Sequence, residues 1–394
     1  MKYFLQRYSV YCIFFLFLFV NFAVYFVMFR FHTSIPFGLS AHQYTAAYHF
    51  YPDERFRLQI FHFFNAIAPF DAQWYLRIAS QGYPSHPKPG MFFRGIYAFF
   101  PLYPLVIFLI NSIVGSVTKA AFISSNILLM CNFWSLYYVV SKLISKKIAL
   151  KTIVFFFLFP LSIFFRSYFP ENLYLFLLIW FAYFLSKKNY LWSAVSLSLL
   201  TVTKGNGLLL YAVFLFPLLT GIYNKTLTKR KGAMYLIISI LPLFVWFLYS
   251  FFKSGHPLIF VTARQYWTPT YPFIIIFFNF DTIKNMICYS ILKPFNYMTF
   301  LQIDTLFILV IATILFYAKK VLSNELWWIS LCLWLGPLVM TTIVSFSRYQ
   351  IVSFPLFIFL ASVTNKTMFV VLCILFAIGL VYTSLFFVNW YWIG

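Results

Sequence analysis

Acidic residues are scarce in this sequence, with seven Asp and Glu among 394 residues, and charged residues of both signs make up only 9% of the chain. An ordinary soluble domain has about 25% charged and roughly 45–50% apolar residues, whereas 63% of this chain is hydrophobic. A core surrounded by water cannot bury that much apolar surface, which excludes an ordinary soluble domain. We therefore predict an all-α polytopic membrane protein that has lipid as its main solvent.

Cysteine pairs and metal-binding motifs are also lacking. None of the five cysteines forms a CxxC pair, and the chain has neither an HExxH nor a DxD motif. A disulfide framework and a cysteine zinc site are therefore not suggested. The histidines of the first polar segment show no recognised ligand spacing: His32, His42, His49, His62 and His86. The sequence predicts no cofactor. No motif indicates a divalent metal, but the sequence does not exclude one.

Basic residues are in large excess and give a formal net charge of +22. They cluster in short turns between apolar runs, as in "SKKIALK" at 145–151 and "NKTLTKRKG" at 224–232. This pattern is typical of cytoplasmic loops that face anionic lipid. It favours membrane lipids as partners and argues against nucleic acid.

About eleven apolar runs are predicted as membrane helices. They fall near 9–30, 97–114, 120–140, 152–166, 171–186, 191–221, 234–252, 302–318, 326–346, 350–364 and 368–388. The first run is long enough to span ~30 Å of hydrocarbon at ~1.5 Å per residue and has no small-residue cleavage site, so we predict an uncleaved helix. Two polar segments interrupt the runs, a first outer loop at 31–96 and a second at 253–301. We predict one membrane domain over 1–394.

Basic residues near the N-terminus predict that this end is cytoplasmic and that the first loop lies outside. Eleven crossings then put the turns "SKLISKKIALK" and "SKKNY" outside, against the positive-inside rule. An alternative divides the run 191–221 into two helices around "TKGNG" and omits one crossing between residues 97 and 140. Both versions put Asp71 and Arg348 on the same side of the membrane.

The stretch "APFDAQWYLRIASQGYP" at 68–84 sets Asp71 among aromatic residues. Three interpretations stay open. Asp71 could cap a helix "AQWYLRIA" through its side chain, and this amphipathic helix could face the membrane surface with Tyr75, Ile78 and Ala79. It could instead be a catalytic carboxylate that deprotonates or orients an acceptor hydroxyl. A metal ligand is the weakest interpretation, because no paired carboxylate stands at helical spacing.

The run "FDAQWYLRIASQGYP", followed by "YAFFPLYPLVIFL", resembles the signature of the PIG-V group of mannosyltransferases, within the GT-C class of membrane glycosyltransferases. The two parts stand at 70–83 and 99–105. Three later segments are similar to further motifs of this family. They are "FRSYFPENLYLFLLIWFAYFL" with Glu171 at the acid, "LLTVTKGNGLLL" with Lys204 where arginine is common, and "SFSRYQIVSFPLFIFL" with Arg348 and Tyr349.

The resemblance implies a GT-C-type fold and an inverting transfer of a sugar from a polyprenyl-phosphate donor, without a nucleotide sugar. It implies that Asp71 is the catalytic residue. We expect a structured first outer loop with short interfacial helices. The expected sugar is a hexose, with mannose favoured, and the expected acceptor is a glycan or glycolipid that is lipid-linked or on the cell surface.

A donor phosphate needs a cation near the outer surface, and the candidates are Arg348, Lys204, Arg264 and Arg77. Arginine can bind phosphate bidentately and stabilise a leaving phosphate. The alternative for Arg348 is a boundary residue that snorkels to water. Lys204 interrupts a long apolar run, which favours a function, although the side of the membrane on which it lies stays open.

Four further residues complete the predicted substrate site: Glu171, Tyr349, Asn206 and Trp267. Glu171 could equally be a first-turn acid that the helix dipole favours. Trp267, with Tyr266, could stack on a sugar or belong to an aromatic belt at the membrane interface, and the belt is favoured.

Two other functions stay open. A carrier or flippase for a lipid-linked sugar would account for the helices and cations equally well, and it would need charges along a pathway of broken helices. A glycan assembly factor without catalytic activity is the other. In each case we predict a multi-pass integral membrane protein, in a prokaryotic plasma membrane rather than in the endoplasmic reticulum.

Overall fold

The computed structural model describes residues 2–38, 50–51, 55, 60–90, 93–267, 297–340 and 345–393. Within these ranges the regular structure is helical and includes no strand, which confirms the predicted all-α class. His42, His49 and the greater part of the predicted second outer loop lie outside the described residues.

The helices follow the apolar runs of the sequence. They are α1 (Lys2–Arg30), α2 (Phe63–Ala66), α3 (Ala72–Gln81), α4 (Leu102–Val114), α5 (Val117–Leu143), α6 (Lys146–Leu158), α7 (Glu171–Ser186), α8 (Tyr190–Thr201), α9 (Leu210–Tyr223), α10 (Lys229–Ser254), α11 (Ile259–Ala263), α12 (Tyr297–Ala318), α13 (Asn324–Met340), α14 (Phe346–Gln350), α15 (Phe354–Val363) and α16 (Lys366–Val388). Short 3-10 helices cover Gly95–Ala98, Pro160–Arg166, Gly205–Leu209 and Arg264–Tyr266.

Polar residues in the basic turns fix where several helices begin. At each of these positions a side-chain oxygen accepts a hydrogen bond from a backbone N–H three residues later, which satisfies a donor that the first turn leaves unpaired. The caps are Ser145 before α6, Asn189 before α8, Thr228 before α10 and Asn365 before α16.

Five helices of the described chain are long and apolar enough to cross a membrane, namely α1 from Val10 onward, α5, α9 with its preceding 3-10 turn, α10 and α16. A sixth candidate is the pair formed by α6 and the 3-10 helix Pro160–Arg166, which is bent by 82°. A polytopic membrane protein is thus the coarse architecture. The count of about eleven crossings stays a prediction, because five other apolar helices are shorter.

The run 191–221 is divided, as the alternative orientation requires. Helix α8 ends at Thr201, and Gly205–Leu209 forms a 3-10 turn before α9 begins at Leu210. Two glycines in "TKGNG" are poor helix formers, and Lys204 adopts an extended backbone between the two helices.

Helices α7 and α8 form an antiparallel pair whose two ends differ in chemistry. Glu171 begins α7, Lys204 follows α8, and their side chains are in contact at 2.9 Å. The turn at Lys187 therefore lies at the opposite end, roughly 24 Å away for the sixteen residues of α7. We call the end with Glu171 the site end and the end with Lys187 the basic end.

Other helices also run between the site end and the basic end. Helices α12 and α13 are antiparallel, since Trp334 donates to Ile308 O (3.1 Å) and Trp327 donates to Leu315 O (2.8 Å). At the basic end of α6, the Lys151 ammonium donates to Thr364 O at 2.7 Å, between α15 and α16.

The first outer loop contains short helices, as predicted, but α3 does not face the membrane surface. Tyr75, Ile78 and Ala79 are buried within the protein. The Tyr75 ring packs edge-on against Phe99 (5.2 Å) and Tyr103 (5.5 Å). The predicted orientation of α3 was wrong because the apolar face of this helix is covered by α4 and by the segment before it.

A buried arginine holds the bent segment that leads to Glu171. Arg166 is fully buried, and its guanidinium donates to Ser162 O (3.0 Å) and to Asn21 Oδ1 (2.9 Å) of α1. These hydrogen bonds satisfy carbonyl and amide groups near the bend, where the regular α-helical pattern is interrupted. The start of α7 is thereby fixed against α1.

Candidate active site

Four charged side chains from separate parts of the chain meet at the site end. Arg348 Nη1 lies 2.8 Å from Asp71 Oδ2, and Arg348 Nε lies 3.6 Å from Glu171 Oε1. Lys204 Nζ donates to the same Glu171 oxygen at 2.9 Å. We call Asp71, Glu171, Lys204 and Arg348 the charged cluster. Two cations and two carboxylates balance its charge.

Asp71 stands at the position before α3, but its side chain makes no capping hydrogen bond. The capping interpretation is therefore wrong for the side chain, which is paired with Arg348 instead. Phe70 has a left-handed backbone (φ 54°), a costly conformation for a bulky residue. The Asp71 side chain is 22% exposed, so this carboxylate is accessible from outside the cluster.

Glu171 is the buried carboxylate of the cluster, with a side-chain exposure of 1%. Its Oε1 faces both Lys204 and Arg348. Its Oε2 is buried and has no hydrogen-bond partner among the described residues. A buried carboxylate stays charged only when cations compensate its desolvation. Glu171 is a first-turn acid of α7, as one interpretation of the sequence has it, and it is also a member of the cluster.

Arg348 lies in the short helix α14 and is only 5% exposed, so it is not a snorkelling boundary residue. Four aromatic rings surround its guanidinium at 5.3 to 5.6 Å: Phe164, Phe169, Tyr349 and Trp392. Such contacts favour a desolvated cation. Its ion pair with Asp71 is close but poorly aligned as a hydrogen bond, since the described residues give neither Nε nor Nη1, both buried, a hydrogen-bond partner.

Electrostatics keep Arg348 protonated. Burial alone would lower the pKa of Arg348, but the charges of Asp71 and Glu171 raise this pKa above its usual value. Beside the cluster, burial and the charges of Glu171 and Asp71 raise the pKa of Tyr75 well above its usual value. The Tyr75 hydroxyl is therefore a neutral group in this site.

Lys204 lies at the same end of the molecule as Asp71, to which it is linked through Glu171 and Arg348. Its ammonium is 4.1 Å from the centroid of the Tyr349 ring. Arg264 is close by, because a Cβ added to Gly205 would lie 2.6 Å from Arg264 Nη2. A side chain at position 205 would therefore displace the guanidinium.

The other predicted residues have different neighbours. Asn206 is buried and packs against Gly336 of α13. Arg77 donates to Gln81 Oε1 at 3.3 Å and lies 6.0 Å from the Trp74 ring. Both of these partners belong to α3 and not to the charged cluster.

Trp267 is half-buried, and it joins α3 to the segment before α4. Its Nε1 donates to Gly95 O at 2.8 Å, and its ring meets those of Trp74 (4.9 Å) and Phe99 (5.1 Å) edge-on. Packing of this kind differs from an aromatic belt residue, which presents its ring to the lipid interface.

Two residues that the sequence analysis missed reach the site. Asp304 of α12 is 1% exposed, and its Oδ1 accepts from Ser347 N at 2.7 Å at the start of α14. A lone acid in the apolar stretch "LQIDTLFILV" is a signal that could have found it. Trp392 follows α16 and contacts Arg348, and no sequence pattern points to it.

The described residues contain no group of three or more His, Cys, Asp and Glu side chains that could hold a metal ion. Within the cluster, the guanidinium of Arg348 lies between the carboxylates of Asp71 and Glu171. Comparison of the chain with protein-family models, with curated proteins and with solved structures gives no match.

Proposed function

We propose that the protein is a GT-C-type membrane glycosyltransferase, which transfers a hexose from a polyprenyl-phosphate donor to a lipid-linked or cell-surface glycan. The observation that carries this proposal is the charged cluster. The segments at 70–83, 165–185, 199–210 and 345–360, which resemble PIG-V mannosyltransferases, each contribute one charged residue to it. Mannose is the favoured sugar by the same resemblance.

The Asp71 and Glu171 carboxylates have different roles because they differ in solvent exposure. Asp71 is the more exposed, at 22% against 1% for Glu171. A general base must reach the proton that it abstracts, so Asp71 is the group that meets the acceptor hydroxyl. Glu171 holds Lys204 and Arg348 in place from the buried side.

The cations serve the donor phosphate. Arg348 presents guanidinium N–H groups that protein oxygens satisfy poorly, and a phosphate oxygen is a strong acceptor for them. Because the charges of the cluster balance, a phosphate at Arg348 competes with Asp71 for this cation. Donor binding thereby frees the Asp71 carboxylate for the acceptor.

The transfer step is a single displacement. The acceptor oxygen attacks the anomeric carbon while its proton passes to Asp71, and the bond between that carbon and the phosphate oxygen breaks. The electron pair leaves with the polyprenyl phosphate, where Arg348 and Lys204 stabilise the developing charge. The configuration of the anomeric carbon is inverted.

A carrier for lipid-linked sugars is the second candidate, and the breaks at Lys204 and at Pro160 favour it. Against it, the ion pairs of the cluster lie at one end of the helices rather than along a path between the two ends. The enzyme accounts for both features, because a broken helix brings Lys204 to Glu171. In either case we propose the plasma membrane of a prokaryote as the location.

The first test is transfer of labelled mannose from polyprenyl-phosphate mannose, in membranes that contain wild type or Asp71→Asn. The asparagine has the size of the aspartate but is a far weaker base. We expect wild type to transfer sugar and the variant to lose about 100-fold or more of the rate, as general bases typically contribute that much. The two proteins are compared at equal abundance.

Arg77→Gln is the matched control, since it changes a charge on the same helix. Equal transfer by wild type and Asp71→Asn would refute the catalytic role of Asp71. If wild type transfers no sugar from a panel of polyprenyl-phosphate donors but moves labelled donor across a vesicle membrane, the carrier replaces the enzyme.

A further inference from the structure

The segment that follows α16, residues 389–393, is anchored to the first outer loop. Gly38 N donates to Asn389 O at 2.8 Å, and a Cβ at Gly38 would lie 2.8 Å from the same oxygen, so only glycine fits there without a shift. Arg55 donates to Asn389 Oδ1 at 3.1 Å. Trp390 is fully buried. The position of the next residues is therefore well defined.

This anchoring brings Trp392 to the charged cluster. Its ring lies 5.6 Å from the guanidinium carbon of Arg348 and meets the ring of Phe70, next to Asp71, at 4.8 Å. Trp392 as a whole is half-buried. It thus borders the cluster next to Arg348 and next to the residue that precedes Asp71.

The indole nitrogen of Trp392 lacks a partner. Its Nε1 is buried and has no hydrogen-bond partner among the described residues. An indole N–H can only donate, and leaving it unpaired in a buried place costs about 1–3 kcal/mol. A ligand oxygen at this position would remove that cost.

The other three rings around Arg348 have different surroundings. Phe164 and Phe169 are almost fully buried and have no polar atom to offer. Tyr349 faces the ammonium of Lys204. Trp392 combines partial exposure with a buried donor that has no partner in the described part of the chain.

We propose that Trp392 is a substrate-binding residue that covers the transferred sugar of the donor, with its ring on the C–H face of the sugar and its Nε1–H donating to a sugar oxygen. This inference rests on the proposed function. A sugar has apolar C–H groups beside hydroxyls, which matches the apolar body and polar tip of tryptophan. A phosphate would instead bind Arg348 and Lys204, and a lipid chain has no acceptor atom for the indole N–H.

The test separates the sugar from the phosphate. Transfer kinetics are measured for Trp392→Phe and Trp392→Ala, together with inhibition by sugar-free polyprenyl phosphate. We expect the KM for the donor to rise about fivefold for Trp392→Phe, which loses one neutral hydrogen bond, and about tenfold or more for Trp392→Ala, which also loses the stacked ring. Inhibition by polyprenyl phosphate is expected to stay at the wild-type level in both variants.

Two controls make the result interpretable. Trp328→Ala removes a half-exposed tryptophan of α13 and should leave both quantities unchanged. Arg348→Lys should weaken sugar-bearing donor and polyprenyl phosphate alike. If Trp392→Ala also weakens both alike, Trp392 merely positions Arg348 and the inference is wrong.

An unchanged KM in both Trp392 variants would refute the inference while leaving the proposed function intact. Failure of wild type with every polyprenyl-phosphate donor would instead overturn the proposed function, and this inference with it. The two failures are thus distinguished by the wild-type reaction.

Discussion

Asp71 and Glu171 carry the same charge in one cluster, yet their surroundings give them different roles. Glu171 is shared between two cations and is shielded from solvent, whereas Asp71 is paired with Arg348 and is partly exposed. Removing one member of a buried ion pair leaves the other charge uncompensated, which typically costs about 3–5 kcal/mol. In the pair of Asp71 with Arg348 the carboxylate is partly exposed, so solvent screening lowers its contribution.

We therefore predict that Glu171→Gln destabilises the protein more than Asp71→Asn does. The glutamine leaves Lys204 without its carboxylate, whereas Asp71→Asn leaves Arg348 beside Glu171. The expected loss in free energy of unfolding is about 3–5 kcal/mol for Glu171→Gln, and it is smaller for Asp71→Asn, because the Asp71 side chain is partly exposed. Thermal unfolding of the detergent-solubilised proteins measures the order.

Lys204→Gln serves as the partner control, and the double variant with Glu171→Gln should be more stable than the sum of the two single losses predicts, because the pair is removed together. A protein with Glu171→Gln that melts like wild type would contradict the buried role of this carboxylate.

The sequence predicted most of the charged residues of the site, because each stands in a polar interruption of an apolar run. Their convergence could not be predicted, since a contact across 277 residues, as between Asp71 and Arg348, leaves no periodic trace. Trp392 was missed for the same reason. Its role depends on a fold-back that Gly38 permits.

At the scale of single elements, the helix that carries Arg348 needs support. Helix α14 has five residues, Phe346–Gln350, and it begins after Ser345, which has a left-handed backbone (φ 64°). A helix this short is unstable alone. The Asp304 carboxylate from α12 accepts the backbone N–H of Ser347, and a negative charge at this end also suits the helix dipole.

We predict that Asp304→Ala lowers the transfer rate by about 10- to 100-fold, because a displacement of Arg348 by about 1 Å is enough for such a loss. Asp304→Asn keeps an acceptor oxygen and should recover a large part of the rate. The readout is transfer from polyprenyl-phosphate mannose at matched protein abundance. Full activity of Asp304→Ala would show that α14 holds Arg348 without this contact.

The breaks between elements differ in how far the sequence revealed them. The interruption at "TKGNG" was predicted as an alternative, since glycine and lysine stand out in an apolar run. The short run 152–166 suggested a tilt, a kink or an incomplete crossing, but not the bend of 82° that the structure has there. Pro160 marks its place, but the angle depends on the contacts of Arg166 with α1, which are far away in the sequence.

At the scale of the whole molecule, the basic turns lie together at the end opposite the charged cluster. Lys187 lies there through the pairing of α7 with α8, and Lys319 through that of α12 with α13. Lys151 meets the turn after α15. From the positive-inside rule we predict that this end is cytoplasmic and that the charged cluster faces outward.

Helix α4 does not run from the site end to the basic end, because the whole of it stays at the site end. The first turn of α4 contacts the first half of α5, where the hydroxyls of Tyr103 and Ser125 are in hydrogen-bond contact at 3.0 Å. From Ser125 onward, α5 runs beside α7 toward the basic end, as the contact of Ser135 with Trp180 at 3.2 Å shows. Helix α4 therefore extends in the outward direction.

This path removes the conflict with the charge rule. A helix of thirteen residues is about 20 Å long, which is short for a hydrocarbon layer of about 30 Å, and α4 is such a helix. Compared with the eleven predicted crossings, the crossing assigned to the run 97–114 is lost, because α4 does not span the membrane. The division of the run 191–221 into α8 and α9 adds one crossing. The predicted number of about eleven crossings is unchanged, but both "SKLISKKIALK" and "SKKNY" now lie inside.

The topology makes opposite predictions for two exposed lysines. Lys119→Cys, after α4, should react with a membrane-impermeant maleimide on intact cells, whereas Lys187→Cys should react only after permeabilisation. Lys88→Cys in the first outer loop is the positive control, and the unmodified chain gives the background from its own cysteines. Protection of Lys119→Cys with labelling of Lys187→Cys would mean that α4 crosses the membrane and that the end of α7 lies outside. Lys204 would then be reached from the cytoplasm, and the cluster could not take a sugar donor from the outer side.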